Sequence, residues 1–415
     1  MTRSYFHRSH LPKPDPRWRR MMDFTYDEYP IRVNASGNIV KIPRYQFQGN
    51  PGKYVHIQAN IHGPEVAGIA ACYDLIKRLQ AEPAINGTIT VIPSINPVGL
   101  DLKYNGLQVG YADPDETSVG NFNRIYQMLV KNKPGSSAIS DPEDPQKVIL
   151  EDFVAAHLHS PVELILKEFK QSLLTALADL KQKRSRLGLR YGLHLAIAIQ
   201  EMAHQADYLI DLHTDGKAIY YGYSFMECSE SFKSFDIPYM IEVDPDDFDG
   251  VLDEAFLIPW IRLVKAFKEA GREITLKELD LEAHTLELGN ADEVDTLAAS
   301  RDADRILNYL RYKKVLPGSD LVMRPVSHCK FKHRDNYFAP TGGLVFWHRQ
   351  PGEKIEKGDV VATILQPGGK GRKKLPLETP VRATKSGILL NLSRSQVAHE
   401  GIQIFSILTN LTEEE

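Results

Sequence analysis

Apolar positions follow two different periods along this chain, and the switches between them mark its elements. Residues 54–61 alternate as a half-buried strand, and Val66, Ile69, Ala70, Tyr73, Ile76 and Leu79 then recur at helical spacing. Pro64 suits the first turn of that helix. Residues 88–93 predict a strand leading to Asn96-Pro97, and residues 206–213 a buried strand ending in His213, followed by a turn at 214–216. Strands at 218–225 and 237–243 follow, then helices at 252–270, closed by Gly271, and at 295–316. Such alternation predicts an α/β fold whose mostly parallel or mixed sheet is flanked by helices.

Two stretches break the pattern. Residues 131–146, rich in Pro, Gly and Ser, read as loop, and 161–183 and 191–204 as two long helices. They form a helical insertion at about 127–204. From 319 to 415 the chain reads as short β segments between Gly and Pro turns, with a weak internal repeat. Ala339–Leu344 resembles Ala383–Ile388, and Gly358 with Ile364-Leu365 resembles Gly401 with Ile407-Leu408. Two similar halves predict an all-β sandwich or barrel. The expected organisation is an N-terminal extension at 1–50, an α/β domain at 51–318 and a C-terminal β domain at 319–415.

Composition narrows the classes. With 42% hydrophobic and 25% charged residues the chain is expected to fold around a substantial core. A net charge of −4 offers no electrostatic ground for nucleic acid or an anionic membrane. Three scattered cysteines, Cys72, Cys228 and Cys329, do not suggest a disulfide framework and suit a reducing cytoplasm. No apolar run resembles a signal peptide or reaches the length of a membrane span. The expected location is cytoplasmic, with homo-oligomer formation left open.

Candidate chemistry gathers at strand ends. His62-Gly63-Pro64-Glu65 falls where the 54–61 strand ends, and His213 where the 206–213 strand ends. Open α/β sheets place their ligands there. Two imidazoles and a carboxylate make the three-ligand set that leaves a catalytic Zn²⁺ one open position. Asp211, two residues before His213, shares its face and can fix that ring's tautomer. Residues 284–289 are strand-like, with Thr285 and Glu287 on one face. A rival cluster, His328-Cys329 with His333, lacks an evident fourth ligand. No glycine-rich phosphate loop or Gly-x-Ser-x-Gly elbow occurs.

Together, His62-Gly63-Pro64-Glu65, Asn96-Pro97, Asn123-Arg124, Asp211-Leu212-His213-Thr214 and Leu286-Glu287-Leu288-Gly289 resemble the succinylglutamate desuccinylase/aspartoacylase family, within the zinc-carboxypeptidase-like group. The motifs occur in the family's order from about residue 54 to 316. The resemblance implies one Zn²⁺ per chain on His62, Glu65 and His213, with Glu287 as catalytic base and then acid. It also implies Asn123 and Arg124 holding a substrate carboxylate. The chain departs from the family where members carry an upstream Arg and a following Phe-Pro-Gly. Here Gln108–Tyr111 and Ile125-Tyr126-Gln127 stand instead. The expected activity is a zinc-dependent deacylase cleaving an N-acyl amino acid or related small amide. The alternatives are a zinc carboxypeptidase acting on peptides and a non-catalytic metal-dependent binding protein. A base at Glu287 speaks against the last.

Overall fold

The computed structural model of the chain describes residues 22–113, 120–126, 128–131, 147–291, 293–368 and 377–414. The loop read at 131–146 lies outside them beyond Lys131, as do Lys370, Lys373 and Lys374, a charge run in the hairpin linking the two β halves that is expected to be a solvated loop. The framework is a ten-stranded sheet. Its strands are β1 (Phe24–Val33), β2 (Ile39–Gln48), β3 (Asn50–Ala59), β4 (Asn86–Ile92), β5 (Tyr208–Asp215), β6 (Tyr220–Ser224), β7 (Tyr239–Glu242), β8 (Glu282–Asn290) and β9 (Val326–Lys330), closed by the last short strand, Thr412–Glu414. The order is β1-β2-β4-β3-β5-β8-β6-β7-β9 and then 412–414. The central β4-β3-β5-β8 are mutually parallel, whereas β6 runs antiparallel to β8. The sheet is therefore mixed, as the pattern allowed.

Strand alternation divides the core. Tyr208, Ile210 and Leu212 of β5 join one apolar cluster with α1 (Ala67–Ala81), while Leu209 joins a second. The second cluster takes in α2 (Val162–Ser185), α3 (Tyr191–Ala203) and α4 (Leu252–Glu269). The last long helix, α5 (Thr296–Tyr312), packs beside α1. Helices thus cover both faces, as parallel strands require. Asp211 and His213 share Leu209's face by alternation, as do Thr285 and Glu287 with Ala283. Sheet parity alone therefore turns these four residues to one side. None of the described helices is long and apolar enough to cross a membrane.

Most of the remaining C-terminal chain forms two further sheets. Its strands are β10 (Arg334–Phe338), β11 (Gly343–Trp347), β12 (Val360–Gln366), β13 (Leu377–Arg382), β14 (Gly387–Leu392) and β15 (Gln403–Leu408). One sheet contains β14, β15 and β10, and the other β13, β12 and β11. Tyr337, Val345, Ile364, Leu389 and Phe405 share their common core. Two joints tie this part to the large sheet. Lys217-Ala218, just past β5, adds to β14, and Tyr221, Ile241, Cys329, Leu390 and Leu408 form a buried apolar cluster.

Candidate active site

The turn after β3 is built before any chemistry is added. Asn60 takes a left-handed φ of 67°, and its side-chain amide donates to the carbonyls of His62 (2.9 Å), Gly63 (3.2 Å) and Glu65 (3.3 Å). Ser94 Oγ donates to its Oδ1 at 2.9 Å. Asn96 Nδ2 holds the Ile61 carbonyl at 2.7 Å, while its Oδ1 accepts from Gly99 N and the Tyr191 hydroxyl. Gly63 N donates to Gly110 O at 2.9 Å. A Cβ on Gly63 would lie 1.9 Å from Gly99 O, so the approach of these two loops needs glycine. With its carbonyls engaged in this way, 62–66 stays a turn and α1 begins only at Ala67. Pro64 consequently precedes the helix instead of occupying its first turn.

The turn brings His62 and Glu65 against His213 from the neighbouring strand β5. His62 Nδ1 lies 2.7 Å from Glu65 Oε1, and His213 Nδ1 lies 2.9 Å from Glu65 Oε2. The opposite ring nitrogens are also engaged. His62 Nε2 meets Asn121 Oδ1 at 2.8 Å, and His213 Nε2 meets Asp211 Oδ2 at 3.1 Å. Gln58 in turn donates to Asp211 Oδ1 at 3.1 Å. Both Nδ1 atoms thus face one carboxylate while partners behind fix the rings, the arrangement expected around a metal-binding imidazole. Ligand atoms of the three residues lie within 4.8 Å of one another, and all three residues are buried. Among the described residues they are the one such group of three, and the His328 cluster forms none. Two imidazoles and a carboxylate are a donor set that zinc accepts.

The trio lines a cavity of about 200 Å³ together with Asn121, Asn123, Arg124 and Glu287. Glu287 sits opposite His213 in the β8–β5 register. Its Oε2 is sealed from solvent and has no hydrogen-bond partner among the described residues. Burial pushes this carboxyl up to about 8, with Asp215 and Glu65 adding to the rise, while His213 and Arg334 oppose it. Glu65 behaves oppositely. Burial would raise it, but the charges of His62 and His213 outweigh that and hold it low, at about 2. Two carboxyls in one cavity are thereby driven apart, a pattern typical of sites with divided roles.

Asn123 Nδ2 approaches His213 Nε2 at 3.4 Å, and its Oδ1 is buried without a partner among the described residues. Arg124 lines the same cavity with a side chain 42% exposed. Its Nη1 donates to Asn123 O at 2.7 Å, and its Nε lies 2.8 Å from Asp249 Oδ2.

Several lining residues escaped the sequence reading. Arg334, from β10, enters the cavity and donates from Nη1 to the Tyr223 hydroxyl at 2.7 Å. Its Nη2 is 3.5 Å from Asp215, and its buried Nε has no partner among the described residues. Burial would weaken its hold on a proton, but Tyr223, Tyr221, Asp215 and Glu287 outweigh this and keep it charged. Tyr111 packs on His62 with ring centroids 4.9 Å apart. No local motif announces Arg334, because a separate β unit delivers it.

Residues 51–166 match the family model described as the succinylglutamate desuccinylase/aspartoacylase catalytic domain. A crystal structure from Shewanella amazonensis, assigned to that family, is 28% identical, with 94% of this chain and 100% of the other covered and a TM-score of 0.82. Its counterpart from Shewanella frigidimarina is 27% identical over 95% and 99%, with a TM-score of 0.83. Over residues 51–166 the chain is thus similar to the succinylglutamate desuccinylase/aspartoacylase family, and over nearly its whole length it shares the fold of the two Shewanella structures. That family is one of deacylase hydrolases, typically metal-dependent. The product-bound ectoine utilization protein EutE (DoeB) of Ruegeria pomeroyi shares the fold, at 16% identity over 96% and 99% with a TM-score of 0.59. No curated protein matches the sequence.

Proposed function

We propose that this chain is a zinc-dependent amidohydrolase removing the acyl group from an N-acyl amino acid or a related small amide. The observation that carries the reading is the juxtaposition, in one cavity, of the His62–Glu65–His213 trio with a carboxylate oxygen of Glu287 unpaired among the described residues. His62, Glu65 and His213 would hold one zinc ion, with Asp211 fixing the His213 ring. Bound there, zinc would lower the pKa of a coordinated water and polarise the scissile carbonyl.

The chain's own groups supply the rest. Glu287 accepts the proton of the attacking water at Oε2, and its raised proton affinity lets it keep that proton until the amine nitrogen departs. Arg334, held by Tyr223, sets a fixed positive charge beside Glu287 where negative charge develops on the carbonyl oxygen. Asn123, whose amide oxygen has no partner among the described residues, orients the substrate. Arg124 receives a carboxylate only in exchange for Asp249, so it belongs to the rim of the site. The cavity's volume of about 200 Å³ favours a small amide over a peptide chain. Three free, buried cysteines suit a reducing cytoplasm. We assign residues 51–318 to catalysis, with the 319–415 part closing the cavity through Arg334.

Elemental analysis of the purified chain tests the metal assignment. One zinc per chain is expected, and its loss in His213→Ala. Equal zinc in both proteins would remove His213 from the site.

A further inference from the structure

The segment after β7, running into the first turn of α4, makes one wall of the cavity strongly acidic. Asp244, Asp247, Asp249, Asp253 and Glu254 all line it. Apart from the imidazoles of His62 and His213, the lining cations among the described residues are Arg124 and Arg334, and the first is already engaged with Asp249. The first turn of a helix favours carboxylates, which explains acids at Asp253 and Glu254 but not their burial. Asp253 is 1% and Glu254 7% exposed. Glu254 Oε2 accepts Asp249 N at 2.8 Å. Asp253, by contrast, lines the cavity with its carboxylate bonded by Thr285, while its buried Oδ1 has no hydrogen-bond partner among the described residues. An acceptor left bare in a ligand cavity marks a place for a donor that the protein does not provide.

Charge supports the same conclusion. Burial, then the neighbouring Asp211 charge, pushes Asp253 up to about 6. Burial, then the charge of Asp253, pushes Glu254 up to about 8. Both carboxyls resist ionising because burial and their acidic neighbours outweigh the opposing charges, His213 on Asp253 and Arg124 on Glu254. A cationic group entering the cavity would relieve the two together, and the exposed Asp244 and Asp247 at the rim would draw it in.

We infer that the substrate's amine half carries a second, cationic nitrogen, an ammonium or guanidinium, received by Asp253 with Glu254 beside it. The inference rests on the deacylase reading for the identity of the other half. It names N-acyl derivatives of basic amino acids or diamines as the substrate class.

Calorimetric binding of free amino acids to the zinc-loaded chain tests the inference without requiring turnover. Lysine and norleucine differ by the terminal ammonium, and glutamate reverses the charge. A charge-assisted hydrogen bond predicts lysine binding about tenfold or more tighter than norleucine, with glutamate weakest. In Asp253→Asn the lysine-to-norleucine ratio should fall toward one. Should that variant not fold, Glu254→Gln must lower the ratio instead. Equal affinities in the wild type, a preference for glutamate, or a ratio retained in both variants would overturn the inference. So would a second zinc per chain displaced by lysine, because the acids would then be a metal site. Lysine selectivity without hydrolysis of any Nα-acyl-lysine would uphold the cation site and sink the deacylase reading alone.

Discussion

At the scale of single residues, the account turns on which polar atoms lack a partner. Glu287 Oε2 and Asn123 Oδ1 are sealed and unpaired among the described residues, which costs stability unless function recovers it. Glu287→Gln keeps the shape and removes the base. Turnover should fall by roughly 10²–10⁴ while zinc content and melting temperature hold. Near-normal kcat in a folded, zinc-loaded variant would return Glu287 to a structural role. The resemblance implies that Arg124 clamps a substrate carboxylate, and a place for it near the cavity was legible in the motif. Its ion pair with Asp249 was not, because that partner lies far along the chain. Arg124→Lys keeps the charge and loses the planar fork. The expected loss in kcat/KM is about tenfold or less, since Asp249 already occupies Arg124, and it should appear only for carboxylate-bearing substrates. An equal loss on the matching amides would mark Arg124 as structural.

At the scale of elements, the alternation of Val55, Ile57 and Ala59 and the apolar run into His213 made β3 and β5 legible. Their parity then turned Asp211 and His213 to one side. The turn between β3 and α1 was less legible, because its shape comes from Asn60, Asn96 and a distant loop at Gly99 and Gly110. The internal repeat was legible for a packing reason. Gly343 and Gly387 occupy matching strand starts, where a Cβ would meet Leu365 O at 2.4 Å and Leu408 O at 2.1 Å. Those leucines are also paired in the repeat. The turn supplies its own prediction. Gly63→Ala must push the Gly99 loop aside, displacing His62 and Glu65 together. Zinc affinity, measured by competition with a chromogenic chelator, should fall at least tenfold while the protein still folds. Unchanged affinity would mean that the turn does not set the trio's geometry.

At the scale of the whole molecule, the C-terminal β unit is joined to the catalytic part. Strand β9 and residues 412–414 complete the large sheet, and Lys217-Ala218 adds to β14. Local periodicity predicts the β segments but carries no information about where they dock, so Arg334 could not be found in the sequence. Arg334→Met preserves most of the bulk and removes the charge. It should lower kcat/KM by roughly 10²–10³, the usual effect of losing one preorganised donor at a developing oxyanion. Zinc content should not change, and a variant with normal kcat/KM would confine the C-terminal unit to a supporting part. The central claim, zinc-dependent deacylation, meets its most direct test in one assay. N-acetyl, N-succinyl and N-formyl amino acids, with dipeptides included, would be offered to the zinc-loaded chain, the chelated chain and the chelated chain given zinc again. The account predicts hydrolysis of at least one N-acyl amino acid, abolished by chelation and restored by zinc. Turnover that survives complete zinc removal, or cleavage of dipeptides alone, would contradict it.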